Sequence, residues 1–186
     1  MTNFTPTQHP EMSPSALDRY LDLFEELEIR VWLGGGWGVD ALLGEQTRSH
    51  SDLDIVLEGH ASAKLRARLS ELGFDDVETS DQSPWNFVMG NGHGHLIDFH
   101  VVEFDHEYVG IHGPPENGKS SPASFLTGRG VINGRPVNCL SAEFQLQSHT
   151  GYEIDEDDVR DVLALRTRFG LPLPTEYLPY EHENTL

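Results

Sequence analysis

Val31-Trp-Leu-Gly-Gly-Gly-Trp-Gly-Val-Asp-Ala-Leu-Leu-Gly-Glu-Gln-Thr-Arg-Ser-His-Ser-Asp-Leu-Asp-Ile-Val-Leu57 gathers a glycine-rich turn, a basic pair (Arg48 and His50) and two spaced carboxylates into one short unit. Val31 to Leu33 has the make-up of a short buried strand. The glycines after it let backbone N–H groups approach a ligand closely before a helix, Trp37 to Leu43, begins. A phosphate suits such a turn. Asp52 to Leu57 follows as a second strand, whose period of two sets Asp52 and Asp54 on one face and Leu53 and Ile55 on the other. Two carboxylates so close repel unless a cation lies between them. Mg²⁺ matches best, because it takes hard oxygen ligands and is usually held by one or two carboxylates plus substrate phosphates.

A third carboxylate comes from further along. Trp85 to Met89 is predicted as a strand, Gly90 to Gly94 as a turn, and His95 to Glu103 as its antiparallel partner. Asp98 lies between Ile97 and Phe99 in a segment that otherwise favours burial, where an unpaired charge costs several kcal/mol. It therefore needs a partner, either a metal or a buried donor. If its strand neighbours the Asp52–Asp54 strand, three carboxylates meet.

Composition limits the function classes. The chain has 186 residues, 37% of them apolar, enough for one domain with its own core. Its formal charge is −19, with Lys64 and Lys119 the only lysines. That balance argues against nucleic acid as a partner, since phosphate contacts need clustered Lys and Arg. There is no apolar run long enough for a membrane span and no signal-peptide pattern at Met1 to Pro10, so the expectation is a cytoplasmic protein with no membrane partner. The lone cysteine, Cys139, is expected to be a small packed residue rather than a nucleophile. His93, His95 and His100 lack the cysteine partners and helical spacing of a zinc site.

The remaining elements are local. Residues 1–12 are expected to be a frayed tail, and Ser13-Pro14 opens a helix whose apolar face is Leu17, Leu21, Phe24 and Leu27. Ala61, Leu65, Leu69 and Leu72 mark another helix, ended by Gly73 and followed by a short strand from Phe74 to Glu78. Phe104 to Ser121 suggests strand fragments and loops at a site mouth. Gly130 to Cys139 is a hairpin turning at Asn133-Gly134, both of which accept positive φ. Ser141 caps a helix to about Thr150, and Asp155 caps a second in which Val159, Val162, Leu163 and Phe169 form the apolar side. Residues 13–140 would make the main domain, 141–170 a helical part packed on it, and 171–186 an extended proline-containing tail suited to a partner-chain contact, possible in a homodimer.

Gly35 to Ile55 resembles the signature of the minimal nucleotidyltransferases of the polymerase-β-like superfamily. Within that superfamily it is most similar to the lincosamide nucleotidyltransferases and the 2″-aminoglycoside adenylyltransferases. The Gly130-to-Cys139 hairpin resembles that of the aminoglycoside group, and His149-Thr150-Gly151-Tyr152 with its acidic turn resembles the lincosamide enzymes. Where aminoglycoside relatives tend to carry basic residues, Glu156, Asp157 and Asp158 stand here. The resemblance, from about Ala16 to Phe169, implies an α/β (α+β) nucleotidyltransferase fold: a mixed, mostly antiparallel sheet flanked by helices, with C-terminal helices.

It also implies a reaction, the Mg²⁺-dependent transfer of AMP from ATP to a hydroxyl of a small antibiotic, with a lincosamide favoured over an aminoglycoside. Asp52, Asp54 and Asp98 would be the catalytic and metal-binding carboxylates, Asp98 serving either as general base or as a metal ligand. Gly35, Gly36, Arg48 and His50 would receive the nucleotide; the other reading of Arg48 is a surface arginine, and that of His50 a strand cap. Trp85, Phe87, His100 and Tyr152 are the expected antibiotic contacts, with Tyr108 as a further wall; the tryptophan has core packing as its other reading. For a polycationic drug, Glu78, Asp81, Glu103 and Asp105 would supply the charge. Two other functions fit the same residues: nucleotidylation of a protein, as in toxin–antitoxin pairs, and an inactive nucleotide-binding module.

Overall fold

The computed structural model describes residues 11–104, 110–113 and 118–181. Its centre is a pair of parallel strands, β2 (Asp52–Glu58) and β5 (Leu96–Phe104), aligned so that Asp54 stands opposite Asp98. Around them run β1 (Val31–Leu33), β3 (Phe74–Val77), β4 (Asn86–Asn91), β8 (Gly128–Ile132) and β9 (Arg135–Cys139), in the order β3-β4-β5-β2-β1-β9-β8. β6 (Gly110–His112) and β7 (Lys119–Ser121) extend the far end of β5. Of the strand pairs among the described residues, only β2 with β5 and β1 with β9 run parallel. The sheet is therefore mixed and mostly antiparallel, and helices flank it.

The period of two divides the sheet into a dry face and a working face. Leu53, Ile55, Leu57, Ile97 and Phe99 are fully buried, and beneath them pack α1 (Pro14–Glu26) through Leu17 and Phe24 and α3 (Gly59–Glu71) through Leu65 and Leu69. Asp52, Asp54, Asp98 and His100 face the other way and are only partly buried. At the starts of two helices the local code holds. Ser13 Oγ accepts from the Ala16 N–H ahead of Pro14, and Asp155 forms a capping box with Asp158 at the start of α5 (Glu156–Phe169). Asn133 and Gly134 take φ of 50° and 79°, as a two-residue hairpin turn requires. Cys139 is buried, which pushes its thiol up to about 12 and leaves it unreactive.

A separate core joins the C-terminal elements to α2 (Gly35–Leu43). Val39 of α2 packs with Ala142 and Leu146 of α4 (Ala142–Ser148), Val162 and Leu165 of α5, and Tyr177. Here the expectation of an extended tail from residue 171 is corrected. Thr175–Tyr180 forms a 3-10 turn whose Tyr177 is fully buried and donates its hydroxyl to the His149 carbonyl at 2.5 Å. The prolines at 172 and 174 shape the approach, but the buried phenol folds the segment back onto its own chain. Replacing Tyr177 with alanine removes a large buried ring and orphans that carbonyl, so a loss of about 3–5 kcal/mol is expected in chemical denaturation.

Candidate active site

Gly34 ends β1 and sits at the N-cap of α2, so the Gly34-to-Gly36 turn stands directly over β2. Space at this turn admits only glycine. Gly35 has φ of +51°, and a Cβ there would come within 2.0 Å of Asp54 Oδ2; at Gly36 it would meet His50 Nδ1 at 2.3 Å and Arg48 Nη2 at 2.6 Å. The helix N-terminus thus opens onto the carboxylates with nothing between them. A Gly35→Ala protein should fold, since the left-handed strain costs only about 1–2 kcal/mol. Its methyl group would displace the Asp54 carboxylate, and turnover should fall by about 100-fold or more in a steady-state assay.

The carboxylates are tuned by their surroundings. Burial raises the Asp52 carboxyl to about 6, with repulsion from Asp54 adding to it and Ser51, His50 and Arg48 opposing. Burial also raises Asp98 to about 6; His100 pulls against that rise, while Asp54, Asp52 and Asp81 reinforce it. His100 Nε2 lies 3.7 Å from Asp54 Oδ1 and 3.8 Å from Asp98 Oδ2. Burial works against its charge, but the two carboxylates prevail and its pKa is raised. Asp98 Oδ1 is buried and has no hydrogen-bond partner among the described residues. An orphaned anionic oxygen amid like charges asks for a cation, and ligand atoms of Asp54, Asp98 and His100 lie within 4.8 Å of one another. These residues fit a divalent ion.

Arg48 and His50 occupy supporting positions. The Arg48 guanidinium is forked onto Asp161 of α5, Nε donating to Oδ1 at 3.1 Å and Nη2 to Oδ2 at 2.7 Å, while Nη2 also borders Gly36. His50 is buried beneath the turn, bonded through Nε2 to the fully buried Asp40 at 2.5 Å, and Asp40 also accepts from the Thr47 N–H and hydroxyl. It is a pillar under Gly36 rather than a nucleotide contact. His149 donates Nδ1–H to the Gln145 carbonyl at 2.7 Å and turns Nε2 toward Asp161 at 3.8 Å. Gln145 in turn donates to the Gly35 carbonyl at 3.1 Å. Asp40, Gln145, His149 and Asp161 carry the turn, yet the sequence reading gave none of them a role. The available signals were the His149-Thr150-Gly151-Tyr152 motif and a buried-type acid, Asp161, between Arg160 and Val162 on the apolar side of a helix.

The turn, Asp52 and Asp54 open into a cavity of ≈ 450 Å³ that His100 and Tyr152 also line. Its remaining wall combines an apolar patch of Val56, Val102, Phe125, Leu140 and Phe144 with polar groups that include Ser148, His149 and Asp158. Two expected drug contacts are corrected. Phe87 faces the dry side, 1% exposed and stacked on Phe99 at 4.6 Å, because it pairs across the ladder with Phe99 rather than with Asp98. Trp85 packs against the same core, outside the cavity wall. Of the acids suggested for a cationic drug, Asp81 accepts from Asn86 beside the site, whereas Glu103 lies against Gly59 at the start of α3. Asp105 and Tyr108 lie outside the described residues.

Comparison with known proteins agrees with this geometry. The sequence model of the aminoglycoside-2″-adenylyltransferase family matches residues 16–165. A lincosamide resistance protein of Staphylococcus haemolyticus is 31% identical over 147 residues, which cover 79% of this chain and 90% of that one. A 2″-aminoglycoside nucleotidyltransferase of Escherichia coli is 32% identical over 127 residues, 68% of this chain and 67% of that one. Among solved structures, the lincomycin-bound lincosamide antibiotic adenylyltransferase LnuA matches with a TM-score of 0.75 at 28% identity, covering 85% of this chain and 99% of its own.

Proposed function

The chain belongs to the aminoglycoside-2″-adenylyltransferase family, a family of nucleotidyltransferases, and from that premise we propose that it transfers AMP from ATP to a hydroxyl of a lincosamide antibiotic. The observation that carries the reading is the cavity itself. One end is the glycine turn and carboxylate row, and the other is the wall of Phe125, Leu140 and Phe144 with Val56 and Val102. A lincosamide has one amine and an apolar chain, which such a wall accommodates with Asp158 available to the amine; a polycationic aminoglycoside needs several acids, and beyond the carboxylate row Asp158 alone of the described acids lines the cavity, Glu103 lying against Gly59 instead.

The chain's own residues divide the work. The Gly34-to-Gly36 turn and the α2 N-terminus receive phosphate oxygens. Arg48 Nη2, held at Gly36 by Asp161, stabilises charge on departing pyrophosphate. Asp98, raised to about 6 and so ionised at pH 7, accepts the proton of the attacking hydroxyl or joins Asp52 and Asp54 in holding Mg²⁺. A Mg²⁺ held by these carboxylates would supply neutralisation of the phosphate charge.

No helix among the described residues is long and apolar enough to cross a membrane. The test is pyrophosphate release from Mg–ATP across lincosamides and aminoglycosides, with Asp98→Asn as control. Release with lincosamides alone, absent in the variant, is the expected result. Release with aminoglycosides alone overturns the substrate choice, and label from ATP appearing on protein rather than drug overturns the small-molecule acceptor.

A further inference from the structure

Asp98 and His100 are two residues apart on β5, so the strand's period of two sets both on the working face, where His100 lines the cavity. Asp54 stands opposite Asp98 in the parallel register, and Val56 opposite His100. The imidazole therefore sits one step beyond the carboxylate pair, on the apolar side of the site. Its Nε2 lies 3.7 and 3.8 Å from the nearest oxygens of Asp54 and Asp98. Two ligands held at about 2.1 Å from one ion, at right-angled or tetrahedral positions, are roughly 3.0–3.5 Å apart. The observed separations need only a few tenths of an ångström of closure.

Asp52 is not part of this grouping. Its neighbours are Ser51, His50 and Arg48, which place it toward the phosphate turn. The row is thus Asp52 on the nucleotide side, Asp54 and Asp98 in the middle, and His100 on the acceptor side. Behind His100 stands His112, with ring centres 5.9 Å apart, its Nδ1–H donating to the Val101 carbonyl and fixing its orientation.

We propose that His100, through Nε2, is a nitrogen ligand of the divalent ion held by Asp54 and Asp98. This rests on the metal-dependent nucleotidyltransferase reading. The centre is then a mixed nitrogen–oxygen site rather than an all-carboxylate one. Imidazole suits Co²⁺ and Zn²⁺ and adds little for Mg²⁺, whose affinity is set by hard oxygen donors. The residue accordingly sets metal selectivity, favouring Co²⁺ over Mg²⁺ relative to a carboxylate-only centre.

The test uses the full chain titrated with Co²⁺ followed by visible absorption, with Mg²⁺ affinity obtained by competition. His100→Gln is expected to weaken Co²⁺ at least tenfold and Mg²⁺ less than threefold, with a change in the Co²⁺ bands. Equal effects on both ions, or none on Co²⁺, overturn the proposal. Should the variant fold poorly by circular dichroism, wild-type protein labelled with ¹⁵N-histidine and loaded with Mn²⁺ gives a second readout. Its pulsed EPR spectrum must show histidine nitrogen coupling, and the absence of that coupling overturns the assignment. If neither ion binds and Asp98→Asn changes nothing, the metal-dependent reading falls as well, and that outcome is distinct from binding without nitrogen.

Discussion

Asp98→Asn should abolish turnover and, in metal-free protein at pH 8, make the fold more stable. The first effect follows from losing either a positioned base or a ligand, each worth about 10²–10⁴ in rate. The second follows from linkage. The folded carboxyl sits at about 6 against 3.8 unfolded, so the folded state binds its proton more tightly. Stability is then fully present below pH 3.8 and is lost as pH rises through 6. At pH 8 the ionised group costs on the order of 2 kcal/mol. Thermal denaturation in EDTA should therefore rank the variant above wild type at pH 8 and level with it at pH 4. Mg²⁺ should stabilise wild type more at pH 8 than at pH 5. A variant less stable than wild type at pH 8 would show that Asp98 has a buried donor instead.

Asp161→Asn is the second large effect, and it acts from α5. Arg48 and Asp161 are buried partners, 16% and 1% exposed at their side chains, and removing one leaves the other's charge uncompensated. About 3–5 kcal/mol of stability should be lost near pH 6. Burial pushes Asp161 up, but the nearby His149 imidazole and the hydrogen bonds from Arg48 overcome it and hold the carboxyl below its ordinary 3.8. Its contribution is present above pH 3.8 and disappears as pH falls through the lowered value. Burial opposes charge on His149, yet Asp161 raises it above 6.5, so that contribution is present below 6.5 and fades as pH rises through the raised value. The penalty of the substitution should thus peak between roughly pH 4 and 6.5. With Arg48 unmoored beside Gly36, the KM for ATP should rise more than kcat falls. If KM is unchanged, Arg48 does not depend on Asp161 for its position.

What could be read from the chain alone was local. Asn133-Gly134, Ser13-Pro14 and Asp155 announce a turn and two caps because each acts on backbone within a few residues. Asp52-x-Asp54 and the charge misfit at Asp98 announce a site, because a carboxylate on a strand between buried residues needs a partner. Which face a distant aromatic takes depends on register, and no rule within Trp85 to Met89 reveals it. Phe87 pairs with Phe99, so it shares the dry side, and the apolar wall comes instead from Phe125, Leu140 and Phe144. Arg48 looked like an independent cation, since its partner is 113 residues away.

That separation sets the order in which the molecule is assembled. The caps, the hairpin and the β4–β5 pair close short loops, whereas the Arg48–Asp161 clamp must close one of the longest in the chain, at an entropic cost that grows with loop length. A ribosome-bound chain ending before α5 can hold all three sheet-borne site residues, Asp52, Asp54 and Asp98, and still lack the arm that steadies the phosphate turn. In refolding from urea, far-UV ellipticity should return before ATP-analogue binding does, the last step being the packing of α5 and the Tyr177 turn against α2 and α4, which brings Asp161 to Arg48.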